Sequence, residues 1–96
     1  ARAEADKLMK EAEKQAANIK KQAEAAAEQV KKEGYKQADD IEKQAKNPLE
    51  KATAKIAAEK LRKETDKKAQ QLIDEGDKEA KKVLDTAKKE ADEMLK

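Results

Sequence analysis

An apolar pattern that repeats every eleven residues runs through almost the whole chain and constrains its fold more than any other feature. Position one of the repeat is alanine, position four is a large aliphatic residue and position eight is small, Gly34 and Gly76 included. The aliphatic positions are Leu8, Ile19, Val30 and Ile41 in the first half, and Leu61, Leu72, Val83 and Met94 in the second. Three apolar positions in eleven residues give a period of about 3.67, close to the turn of an α-helix. The pattern therefore predicts long helices with one apolar stripe.

The composition supports helices that bury little. Ala, Lys, Glu, Leu and Arg supply 64 of the 96 residues, whereas Leu, Ile and Val number 12 and Phe and Trp are absent. Such a share of helix formers is typical of coiled coils and long helices. A compact globular core needs large side chains that displace water, and this chain has few of them. We therefore expect an elongated all-α structure.

The repeat changes phase at one place, around Asn47 and Pro48. Proline is unfavourable inside a helix but is well tolerated at the first helical position. Asn47 is a good N-cap residue, and Glu50 completes a capping-box spacing. These features predict a helix over residues 1–46, a turn at 47–48 and a second helix over 49–96. The predicted fold is a long antiparallel two-helix hairpin, a coiled coil built on eleven-residue repeats.

A hairpin folded about this turn brings together residues whose numbers sum to about 95. In that register Gly34 faces Leu61 and Gly76 faces Ile19, so that large side chains meet small ones across the seam. The predicted seam residues are Leu8, Ile19, Val30, Gly34, Ile41, Leu61, Leu72, Gly76, Val83 and Met94.

A second apolar column predicts a contact with a partner. It consists of Met9, Ile73, Leu84 and Leu95, each one position after a seam residue. The other helix of the hairpin leaves this column partly exposed to solvent, and an apolar patch of this kind is typical of an interaction site. We expect it to contact a second copy in a weak homodimer, which would be a four-helix assembly, or another helical protein, or another part of a longer parent chain.

The residue types argue against catalysis. The chain has no Cys and no His, and its paired carboxylates, such as Asp39 with Asp40, lie among lysines on polar helix faces. The segment Asp74–Asp77 lacks the alternating oxygen ligands of a calcium loop. We expect no enzyme activity, no cofactor and no metal. Basic and acidic residues number 24 and 22, and this balance argues against nucleic-acid binding.

The repeats resemble sequences of known helical families. Residues 16–23 (AANIKKQA) and 80–87 (AKKVLDTA) are similar to the Ala-rich stalk helices of rotary ATPases. Residues 47–61 (NPLEKATAKIAAEKL) resemble helical tails of AsmA-type bacterial envelope proteins. Late-embryogenesis-abundant proteins and lipid-surface proteins of the synuclein and apolipoprotein type also contain eleven-residue repeats. The first two resemblances imply a helical element that spaces or holds other parts, although the Asn-Pro break departs from an extended stalk.

Three functional classes follow from these features. The favoured one is a structural or interaction module that acts as a spacer, an oligomerisation element or a docking element. The alternatives are an amphipathic helix on a lipid surface, which normally uses larger side chains than Ala, and a stress-protective disordered chain that folds on binding. Because the sequence begins with Ala1, we expect a fragment of a longer protein. A bacterial cell envelope and the cytoplasm are both compatible with the composition.

Overall fold

Two long α-helices and a short connection form the entire chain. The computed structural model describes all residues from 1 to 96, with α1 over Arg2–Gln44 and α2 over Pro48–Met94. No strand is present. The structure confirms the predicted all-α helical hairpin. The first helix ends at Gln44, two residues before its predicted end, and the second begins at Pro48, one residue before its predicted start.

Hydrogen bonds around Asn47 explain where α2 begins. The backbone N–H of Glu50 donates to Asn47 Oδ1 at 2.8 Å, so the asparagine side chain satisfies a free donor of the first turn. In return the Glu50 carboxylate accepts a hydrogen bond from the backbone N–H of Lys46 at 2.9 Å. Asn47 is thus the N-cap of α2, and its backbone carbonyl accepts a hydrogen bond from the N–H of Lys51 at 2.8 Å. The cap takes up residues 45–47 and shortens α1.

The chain divides into two compact units, each of which contains a stretch of both helices. The terminal unit comprises residues 1–24 and 73–96, and the turn unit comprises residues 25–72. Within each unit the two helices run antiparallel and bury one stripe of each helix against the other.

The buried stripe consists almost entirely of small residues. The buried residues in the terminal unit are Ala5, Ala12, Ala16, Gly76, Ala80, Ala87 and Ala91, and those in the turn unit are Ala27, Gly34, Ala38, Ala58, Thr65 and Ala69. No large side chain is completely buried. Small side chains let the helix backbones approach closely, so this core is narrow.

Small residues also face each other, which corrects the predicted register. Gly34 lies directly against Thr65, whose Cβ would be 2.8 Å from a Cβ placed on the glycine. Gly76 lies against the Ala23 side chain, and the near atom of Ile19 is its backbone oxygen, 3.7 Å from such a Cβ. The predictions that Leu61 faces Gly34 and that the Ile19 side chain covers Gly76 were wrong. Both observed pairs join residues whose numbers sum to 99, about one helical turn from the predicted register.

Helix geometry explains this arrangement. Positions one and eight of the repeat are seven residues apart, so they lie about 20° apart around the helix, whereas position four lies about 60° to one side of position one. The two small positions therefore define the centre of the stripe. The aliphatic residue at position four flanks that centre instead of occupying it.

Candidate functional site

The aliphatic residues predicted for the seam line its edge. Gly34 and Gly76 are fully within the seam, whereas Met94, near the end of α2, is 42% exposed. The other predicted seam residues are half-buried, namely Leu8, Ile19, Val30, Ile41, Leu61, Leu72 and Val83. Each helix therefore leaves part of its large apolar surface in water.

A shallow groove follows one edge of the seam in the terminal unit. Leu8 and Val83 contribute its aliphatic walls, and Ala12 and Ala87 lie at its base. The groove has a volume of about 390 Å³, and charged side chains, Lys82 among them, line its rim. Position four of α1 and position four of α2 thus lie on the same face of this unit.

The predicted partner column lies in the same terminal unit. Met9, Ile73 and Leu84 are half-buried, and Leu95 is 55% exposed. Because each follows a position-four residue, it is rotated about 100° from that residue and lies on the opposite side of the seam. Contact with a partner through this column stays a prediction.

A polar cluster connects the two helices of the turn unit. Arg62 Nη2 donates to Asp39 Oδ1 at 2.8 Å, and Arg62 Nη1 donates to Glu42 Oε1 at 2.7 Å. These two carboxylates raise the pKa of Arg62, with the hydrogen bond to Asp39 as the largest cause. Sequence reasoning missed this cluster because it considered charge pairs within one helix only. The signal available was that Arg62 occupies a flanking position where α2 carries aliphatic residues in three later repeats.

Tyr35 adds a second polar link between the helices. Its hydroxyl donates to Asp66 Oδ1 at 2.7 Å, and its side chain is 39% exposed. The hydrogen bond to Asp66 is the main cause that raises the pKa of Tyr35, because it stabilises the protonated phenol. Such exposed pairs contribute modestly to stability, but they fix which residues lie opposite each other.

Two further aliphatic residues of the turn unit lie outside the repeat pattern. Leu49 is 78% exposed and Ile56 is 70% exposed, the highest values among the large hydrophobic residues of the chain. Leu49 also forms one wall of an apolar groove of about 530 Å³, together with Ile41, Ala45 and Ala54. The sequence interpretation did not select Leu49 and Ile56, because it followed only the eleven-residue stripe and its neighbouring column.

The structure offers no arrangement typical of a metal centre or a membrane span. No group of three or more acidic side chains is placed to hold a metal ion. Neither helix contains a segment long and apolar enough to cross a membrane. Comparisons with protein-family models, curated proteins and solved structures found no match.

Proposed function

We propose that the chain is a non-enzymatic structural and interaction module, a helical hairpin that spaces or docks other helical parts through its uncovered aliphatic edges. The observation that carries this proposal is that no large side chain is completely buried within the hairpin. The resemblances to stalk helices and to envelope-protein tails fit the same role.

The energetics of a narrow seam support a lateral partner. Full burial of a Val, Leu or Ile side chain contributes roughly 1.5–3 kcal/mol, and the half-buried residues of this hairpin realise only part of that amount. Two-helix domains of this size are marginally stable unless further contacts cover their apolar surface. A second helical pair laid along the edge would bury it.

We infer that the column of Met9, Ile73, Leu84 and Leu95 is the contact in a weak homodimer. Four aliphatic or thioether side chains on one side of the terminal unit could supply several kcal/mol across a symmetric interface. The cost of association is of similar size, which limits the affinity. Another helical protein with a matching apolar column would bury the same four side chains.

Self-association provides the test of this proposal. Sedimentation equilibrium at rising concentration should show the mass increasing from 10.7 kDa towards twice that value. Ile73→Lys with Leu84→Lys should abolish the increase while circular dichroism stays helical, because charges would then enter the interface. The matched control, Leu49→Lys with Ile56→Lys, adds the same charge outside the column and should still dimerise.

Two outcomes would contradict the dimer. One is that the unsubstituted 96-residue chain stays monomeric up to about millimolar concentration, a range that detects even weak contacts. The other is that the two double-lysine variants self-associate equally. A chain that is unfolded in buffer would instead favour the stress-protective class, in which helices form only on binding or drying.

A further inference from the structure

The two most exposed large hydrophobic residues share one line along the outer face of α2. Leu49 and Ile56 are seven residues apart, so they point in nearly the same direction. Ala58, two positions after Ile56, is completely buried in the seam. Ile56 therefore projects away from α1, and Leu49 borders the groove beside Ile41 and Ala45 but leaves most of its side chain in water.

Positive charge is concentrated in the same segment. Residues 46–63 contain six basic and two acidic residues, whereas the remainder of the chain contains 18 basic and 20 acidic residues. Arg62 is engaged with Asp39 and Glu42, and the other five basic residues are exposed lysines outside any salt bridge. Lys60 and Lys63 continue the line of Leu49 and Ile56. Lys51 and Lys55 lie on the seam side of α2, about 20° and 60° around the helix from buried Ala58. The outer line of Leu49, Ile56, Lys60 and Lys63 is here termed the basic ridge.

We propose that the basic ridge docks on the surface of a membrane that contains anionic phospholipids. Aliphatic side chains flanked by lysines are the pattern of helices that lie at a membrane interface. Lysine stems can lie along the acyl boundary while their ammonium groups reach lipid phosphates, and each such cation adds attraction to an anionic leaflet. The proposal concerns this one segment and holds whether or not the hairpin dimerises.

The spacing of the ridge favours a lipid surface over an acidic partner helix. A helix that docks on another helix needs large anchors at successive turns, at spacings of three, four and seven residues. Between Leu49 and Ile56 the outward positions are Ala52 and Thr53, and beyond Ile56 the line continues with lysines. A fluid lipid interface accepts two isolated aliphatic side chains without such anchors.

Co-sedimentation of the intact chain with vesicles tests the charge requirement. The chain should bind vesicles of phosphatidylcholine mixed with phosphatidylglycerol, should bind pure phosphatidylcholine far less, and should be released by salt. Lys60→Glu with Lys63→Glu should weaken binding at least about tenfold. The matched control, Lys88→Glu with Lys89→Glu, changes the net charge equally and should retain most of the binding. Equal loss in both variants would mean a non-specific charge effect and would overturn the proposal.

The aliphatic requirement is tested separately. Leu49→Gln with Ile56→Gln keeps good helix formers on an exposed face, so thermal unfolding should be nearly unchanged while vesicle binding falls about tenfold or more. Unchanged binding would show that the aliphatic residues do not insert. If the chain binds neither kind of vesicle but binds an acidic amphipathic peptide, the ridge is a protein-binding site and the lipid proposal is wrong.

Discussion

Replacing Gly34 or Gly76 with leucine is expected to lower the melting temperature of the hairpin by roughly 5–15 °C. Leucine raises helix propensity over glycine by about 0.8 kcal/mol, so propensity alone would stabilise the helix. The seam reverses that gain. A Cβ on Gly34 would overlap Thr65, and a Cβ on Gly76 would overlap the side chain of Ala23. Because neither neighbour is the end of a long flexible side chain, a leucine must separate the helices.

Thermal unfolding followed by circular dichroism measures this effect. Lys36→Leu is the control, since Lys36 is exposed on the same helix two residues from Gly34. This variant also introduces leucine but should melt close to the parent. If both glycine variants melt higher than the parent chain, the glycines are not positions of close helix contact.

Ala80→Leu is expected to have a comparably large effect, because Ala80 is completely buried. Extra methylene groups in a packed core typically cost 1–3 kcal/mol, and a seam built only from small residues offers little room to adjust. Ala25→Leu provides a matched comparison. It is the same exchange within a helix, but Ala25 is exposed.

The difference between the two alanine variants is the informative quantity. We expect Ala80→Leu to lower the denaturant midpoint clearly and Ala25→Leu to leave it nearly unchanged. Equal midpoints would mean that the alanines of the repeat are interchangeable with surface alanines, contrary to the observed burial.

The two helices and the turn were predictable because their causes are local. The eleven-residue period determines a helix with one apolar stripe, and Asn47, Pro48 and Glu50 are a capping pattern that can be read along the chain. The cap itself consumes residues 45–47, so the predicted helix end at residue 46 was too late. Local spacing does not specify how far a cap unwinds the preceding helix.

The partners across the seam could not be predicted in the same way. Both helices repeat every eleven residues, so several registers preserve the stripe, and the size of side chains does not by itself decide between them. Pairing each large side chain with a small one was a reasonable way to fill the seam, yet Gly34 contacts Thr65 instead of Leu61. Cross-helix polar contacts, such as Arg62 with Asp39 and Glu42, favour particular registers, but the sequence signals only that Arg62 is unusual at its position and does not identify its partners.

The distance between residues 14 and 82 tests the central claim, that the chain returns on itself as an antiparallel hairpin. Both are exposed lysines in the terminal unit, and the absence of native cysteine allows unique spin labelling after Lys14→Cys and Lys82→Cys. Pulsed electron–electron double resonance measures the distance between the two spin labels. Diluting the labelled chain with unlabelled chain ensures that both labels belong to one molecule. The hairpin predicts a distance under about 25 Å, since packed helix axes lie about 10 Å apart. A separation on the order of 100 Å, the rise of a continuous helix over this span, would contradict it.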